Sequence, residues 1–169
     1  MDSVSEAKLG LVMPALADKI RKMAEMLALE GLEIRVTQGL RSWNEQQLLY
    51  LKGRAYMGGK LTVVNKRDVV TNCPGGHSYH NFGMAVDCAP DDPTKPGYQI
   101  DWNAEHPQWK RMEDVGRSLG LTCGADWRSF PDAPHFQLVG RFPEGSPSDE
   151  VRQLFKDGGM VAVWKESGV

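Results

Sequence analysis

Four histidines occur in this chain, and three of them stand close to carboxylates in short segments that could do chemistry. His77 and His80 lie three residues apart in GGHSYHNFGMAVDCAP, a stretch that ends on Asp87 inside an apolar run. His135 follows Asp132 by three residues in DAPHFQL. A carboxylate flanked by Val86 and Cys88 is costly to desolvate unless a cation meets it. Two imidazoles and a carboxylate are the N/O donors that hold zinc, and three protein ligands with a fourth position open are the pattern of a catalytic site. Such a site activates water and polarises a carbonyl. It also needs a group that moves protons, and Asp132 is placed to do so. Arg41, in GLRSWNE, has the chemistry to bind a substrate carboxylate or to stabilise an oxyanion. Spacing alone leaves His77 and His80 as alternatives for the first imidazole ligand.

The elements around these residues must bring them together. In a strand after Gly83, Met84, Val86 and Cys88 face one way, toward the core, while Ala85 and Asp87 face the other. Small Ala85 leaves space beside the Asp87 carboxylate, and the turn at Gly83 can return the His80 imidazole to that face. Pro134 moves Ala133 out of helical geometry, so a strand begins at His135 with Phe136 turned inward. Upstream, Leu16, Ile20, Met23 and Leu27 predict an amphipathic helix over 11–30, stopped by Gly31. Leu32, Ile34 and Val36 alternate as in a strand. Ser42 and Glu45 form a capping box that opens a short helix to about Leu51, so Arg41 sits at a strand-to-helix junction.

Residues 52–82 are glycine-rich and polar with an apolar island, LTVV, and read as a long surface excursion flanking a cleft. Residues 91–107 read as a loop, 107–119 as a second amphipathic helix, and a last segment starts at the N-cap Ser148. The order of elements predicts an α+β fold, a small antiparallel sheet with packed helices. One catalytic domain spanning 1–169 is expected, with 140–169 completing it or forming a small appendage.

Net charge is -2 and 25% of residues are charged. No strongly basic field calls for nucleic acid, and no apolar run is long enough for stable membrane insertion. The N-terminal residues carry Asp2 and Glu6 where a signal peptide has cations. Cytoplasmic synthesis without a signal peptide is the expectation. Three cysteines, Cys73, Cys88 and Cys123, form no CxxC pair and read as free thiols, with a Cys73–Cys88 bridge as the alternative. Asp91, Asp92, Glu105 and His106 read as solvated.

SYHNFGMAVD fits S-x-H-x-x-G-x-A-x-D, and DAPHFQL fits the D-x-P-H-F that follows it in one family. VTQGLRSWNEQQLLY and GLTCGADWRSF resemble two further segments of that family, in the right order. Over roughly residues 15–140 the chain resembles zinc peptidases of the D-alanyl-D-alanine carboxypeptidase family, with its L-alanyl-D-glutamate endopeptidase branch, which includes phage endolysins, the nearer match. The resemblance implies a DD-peptidase/hedgehog-like fold, Zn2+ as cofactor and bacterial peptidoglycan stem peptides as substrate. It implies His80, Asp87 and His135 as zinc ligands, Asp132 as general acid/base and Arg41 as a substrate-orienting residue. Motif phasing prefers His80 to His77. Ser78, His77, Trp127 and Gln47 are the candidate substrate-binding residues. Cys123 stands where the family has a bulkier aromatic, which predicts an altered pocket wall.

The expected reaction is hydrolysis of the L-Ala–D-Glu bond by a monomer in phage or prophage lysis, reaching the wall by holin-type release. The alternatives are a D-Ala–D-Ala carboxypeptidase or dipeptidase of the same fold, and a metal-stabilised wall-binding module without catalysis.

Overall fold

Apolar residues make the sheet, alternating in the edge strand and running continuously in the strand inside it. Ile34 and Val36 bury one side of β1 (Ile34–Gln38), and every residue of β4 (Ala85–Pro90) except Asp87 is buried. The reason lies in the strand order, β1-β4-β6-β5, with β5 (Thr122–Cys123) and β6 (His135–Gln137) completing an antiparallel sheet. β4 lies inside that order and is covered on both faces, so Ala85 and Ala89 are as buried as Val86 and Cys88. The computed structural model describes residues 1–92, 94, 95 and 99–169. The loop expected over 91–107 therefore falls partly outside the described residues, at Pro93, Pro96, Gly97 and Tyr98.

The helix expected over 11–30 is α2 (Pro14–Ala28), which buries Leu16, Ile20, Met23 and Leu27. Its start is fixed by Pro14, tolerated in the first turn because no intrahelical bond is lost there. A separate helix that the periodicity did not reveal, α1 (Ser3–Leu9), precedes it, capped by the Asp2 carboxylate on the amides of Val4 and Ser5. Seven residues are too few to show a clear repeat. The Ser42/Glu45 capping box opens α3 (Trp43–Leu51) as expected. α4 (Pro107–Ser118) packs Trp109, Met112 and Val115 into the core against α2.

The last helix, α5 (Asp149–Ser167), starts at the Ser148 cap and is broken at Gly159, whose φ of 69° is left-handed. Val151 and Val163 join the core. Trp164 donates its Nε1–H to the Phe82 carbonyl at 2.7 Å, which ties α5 to the turn that carries His80.

The polar excursion after α3 contains a hairpin, β2 (Arg54–Met57) and β3 (Lys60–Val63), joined by Gly58 and Gly59, both at positive φ. A two-residue glycine turn of this kind matches the twist of the strands it joins. The cysteines are free: Cys88 and Cys123 are buried, and Cys73 is half-buried. Asp91 is not solvated as expected; its carboxylate accepts from Arg35 Nε at 2.9 Å with both groups largely shielded.

Candidate functional site

Asp87 and His135 are direct partners across the antiparallel β4–β6 pair, so their side chains rise from the same face. His80 comes from a 3-10 turn, Tyr79–Phe82, that folds back on β4. Gly83 closes the turn at φ 63°, and a Cβ there would meet Trp164, the Leu11 carbonyl and Val12. The amides of Gly83 and Met84 then donate to His80 O and Tyr79 O. The short spacing from turn to strand is what returns the imidazole to Asp87.

The three side chains meet at the ends of their donor atoms. His80 Nε2 lies 3.1 Å from Asp87 Oδ1 and 3.2 Å from His135 Nδ1, and His135 Nδ1 lies 3.4 Å from Asp87 Oδ1. Hydrogen bonding on the far sides of the rings fixes their tautomers. His80 Nδ1 faces the Gly39 carbonyl at 2.9 Å, and His135 Nε2 faces Gln137 Oε1 at 3.1 Å. The Gln137 amide is itself oriented, because its Nε2 donates to Glu144 O at 2.6 Å. The ring protons therefore sit outward, and two imidazole lone pairs and a carboxylate oxygen converge with no proton between them.

That arrangement is repulsive unless a cation occupies the centre. Four ligands around zinc at about 2.0–2.1 Å in tetrahedral array are separated by roughly 3.3 Å, so the observed spacings fit the ion. His80, Asp87 and His135 are the described residues whose donor atoms cluster in this way.

The surroundings carry the same sign. Burial opposes the Asp87 carboxylate, but the neighbouring imidazoles outweigh it and hold its pKa below the ordinary value. Burial likewise favours neutral His135, yet the adjoining Asp87 carboxylate favours its charged form and raises its pKa. Asp132 is shifted the other way: burial first, then the charge of Asp87, raise its carboxyl above the usual range. A proton-transfer carboxyl benefits from such a shift, which brings it closer to the pH at which it works.

A cleft of about 240 Å³ opens over the cluster, lined by Arg41, Ser78, Trp127 and Asp132 as well as the three donors. Arg41 is anchored by its amide to His80 O at 3.0 Å and by Nη1 to Gln46 Oε1 at 2.7 Å. Its Nη2 points to Asp87 Oδ2 at 3.4 Å. The Trp127 ring lies 4.8 Å from that of His135 and walls the cleft beside it. Asp132 is held by the close approach of two backbones: its amide donates to Gly124 O at 3.0 Å, and a Cβ on Gly124 would lie 2.6 Å from Asp132 O.

Two candidates sit elsewhere. Gln47 accepts from the Gly75 amide at 3.0 Å, and the neighbouring Gln46 is the glutamine that reaches Arg41. His77 is outside the donor cluster; its Nδ1 lies 3.3 Å from Arg152 Nη1 on α5. Cys123 does not form the cleft wall. It is buried on β5 with its thiol toward the Glu113 carbonyl, and Cys73 is the cysteine that lines the cleft.

Three further residues support the site; the sequence reading left Gln46 open beside Gln47 and did not single out Asn81 or Gln137. Gln46 is buried and bridges Arg41 to Cys73 O. Asn81 joins the loop amide of Gly76 to the carbonyls of Arg41 and Ser42. Gln137 orients His135. Gln46 was signalled by its place on the helix after Arg41, and Gln137 as a polar residue two positions after His135 on the same strand face.

Comparison with known proteins agrees with this geometry. The family model described as D-alanyl-D-alanine carboxypeptidase matches residues 71–138, which include all three metal-donor residues and Asp132. The peptidoglycan L-alanyl-D-glutamate endopeptidase CwlK of Bacillus subtilis is 32% identical over 130 residues, covering 73% of this chain and 69% of that protein. The chain belongs to the D-alanyl-D-alanine carboxypeptidase family. An L-alanyl-D-glutamate peptidase of Listeria phage A118 is 27% identical over 119 residues, 70% of this chain but 34% of that protein. Among solved structures, the L-Ala D-Glu endopeptidase ChiX of Serratia marcescens has a TM-score of 0.54 at 25% identity, covering 82% of this chain and 88% of its own. The vancomycin-resistance D,D-pentapeptidase VanY, solved with Zn(II), shares the fold with a TM-score of 0.54 at 16% identity, covering 94% and 84% of the two chains. As a member of the D-alanyl-D-alanine carboxypeptidase family, the protein is a zinc-dependent metallopeptidase.

Gln137 supplies a direct test of the metal centre. Replacing it by leucine leaves the His135 Nε2–H and the Glu144 carbonyl without their partner. Outer groups of this kind are worth roughly 10–100-fold in metal affinity. Gln137→Leu is expected to lower zinc affinity by about that factor in a chelator competition; unchanged affinity would remove Gln137 from the centre.

Proposed function

We propose that this protein is a peptidoglycan endopeptidase that hydrolyses the L-Ala–D-Glu bond of cell-wall stem peptides. The observation that carries the reading is the convergence of three metal-ligating donor atoms beneath a cleft that also contains Asp132 and Arg41. Relatives named as L-alanyl-D-glutamate peptidases support the choice of bond.

His80, Asp87 and His135 would hold the ion through Nε2, Oδ1 and Nδ1. Zinc, when bound, supplies a Lewis acid that activates water and polarises the scissile carbonyl. The chain's own groups do the rest. Asp132, desolvated at the cleft wall, takes the proton of the attacking water on a carboxylate oxygen and delivers it to the departing amine nitrogen. Arg41, held rigid by Gln46, presents a guanidinium to a substrate carboxylate or to the developing oxyanion. Trp127 and Ser78 border the peptide.

A lytic setting completes the proposal, with release from the cytoplasm through a separate membrane pore. The phage relative supports it.

The decisive experiment is mass spectrometry of products from purified sacculi, combined with labelling of new amino termini. Each cut is expected to expose a D-Glu amine. Released D-Ala with no new D-Glu terminus would instead assign a carboxypeptidase.

A further inference from the structure

The hairpin β2–β3 is an unusual structure to leave uncovered. Residues 55–60 and 62–68 are all exposed, and the large side chains of Tyr56 and Met57 are 71% and 60% accessible. Val63, Val64 and Val70 are exposed beside them. An isolated two-stranded hairpin is marginal in water, yet this one is firmly rooted. Arg54 donates to Tyr50 O and to Asn72 Oδ1 and lies over the Tyr50 ring. The amides of Val64 and Asn65 both donate to Gly53 O. Gly53 has a φ of 71°, and a Cβ there would lie 2.3 Å from Asn65 O, so only glycine fits that junction.

Charge is concentrated on the same arm. Residues 52–68 hold Lys52, Arg54, Lys60, Lys66 and Arg67 against the single acid Asp68, in a chain whose net charge is -2. The body of the protein is therefore acidic and the arm basic. Among the described residues, the Lys52, Lys60, Lys66 and Arg67 side chains make no ion pair. The arm also runs directly into the cleft. Val70, Thr71 and Cys73, just beyond β3, form part of the cleft lining.

The geometry points to the hairpin as a docking arm for the carboxylate-bearing peptidoglycan network around the cleaved stem peptide. The inference rests on the peptidoglycan reading above and adds a second contact with the polymer, outside the cleft. Charge complementarity selects the occupant. Stem peptides carry free carboxylates at high density, an acidic body is repelled by them, and a basic arm continuous with the cleft offsets that repulsion where the chain must enter. The exposed Tyr56 and Met57 supply apolar contact once the charges have brought the surfaces together. Such an arm raises encounter and retention on an insoluble polymer without altering the chemical step, and its effect weakens as salt screens it.

The test uses the zinc-loaded full chain and a K60E/K66E/R67E variant, with thermal melting to verify the fold and a K60Q/K66Q/R67Q variant as the milder change. Three substrates or surfaces are compared: a free stem peptide, purified sacculi stripped of other polymers, and phosphatidylglycerol/phosphatidylcholine vesicles. The charge-reversed variant is expected to match wild type in kcat/KM on the free peptide. On sacculi at about 50 mM salt, its half-saturating concentration should rise roughly fivefold, and the wild type should approach it at about 300 mM. Co-sedimentation with sacculi should fall in parallel. That readout does not depend on cleavage, so it separates failure of the arm from failure of the proposed reaction. Equal sedimentation and equal sacculus turnover for all three proteins would overturn the inference. So would charge-dependent capture by the vesicles with none by sacculi.

Discussion

Asp132→Ala is expected to bind zinc like the wild type and to lose turnover by roughly a hundred- to ten-thousandfold. The size follows from the usual worth of a positioned general acid/base. Retention of zinc follows from the geometry, since the converging donors are His80 Nε2, Asp87 Oδ1 and His135 Nδ1. Folding should not suffer in the metal-free protein. Burial and the charge of Asp87 raise the Asp132 pKa, so its ionised form is disfavoured in the folded state. That penalty is present above the folded pKa and disappears as pH falls below the unfolded value. At neutral pH, the metal-free variant is expected to melt at or above the wild-type temperature while being almost inactive. Asp132→Glu, which keeps a carboxylate with a longer reach, should recover part of the rate. An Asp132→Ala protein that cleaves sacculi normally would mean that another group moves the proton.

His80→Ala should lose the metal. Removing one of three donors costs more than the 10–100-fold attached to groups behind the ligands, so stoichiometric zinc should disappear from the purified variant by elemental analysis. Stability falls for two further reasons. The buried imidazole leaves a cavity, and the Gly39 carbonyl loses its partner. The bound ion also contributes by mass action to the folded state, so a chelator should lower the wild-type melting temperature and leave the variant's unchanged. His77→Ala is the matched control. His77 lies against Arg152 rather than in the donor cluster, and its variant should keep one zinc per chain. Zinc retained by His80→Ala and lost by His77→Ala would reverse the assignment.

Arg41 and Asp132 show how far the sequence reads. Both are near motifs whose spacing is local: a capping box that begins at Ser42, directly after Arg41, and a proline that starts a strand at His135. Local rules of this kind depend only on backbone sterics and hydrogen bonds within a few residues, so they survive without knowledge of the fold. The same holds for the α2 stripe and the Ser148 cap, whereas the two-faced burial of β4, with Ala85 as enclosed as Val86, follows from its place inside the sheet. The hairpin was missed although Gly58–Gly59 marks its turn, because its strands bury no face and so carry no alternation to detect. The α1 helix was missed for want of length.

What the amino-acid order determined by itself was the family pattern, with its candidate donors, and most of the elements that carry them. Tertiary structure decided how those donors are aimed. Pairing of Asp87 with His135 across two strands and the His80 ring proton held by the Gly39 carbonyl are long-range events. It also decided that Gln46 rather than Gln47 steadies Arg41, because helix rotation against the 70–73 segment sets which glutamine turns inward. The physical reason is common to all of these: a lone pair's direction depends on partners far away in the chain, and periodicity or spacing in sequence carries no information about them.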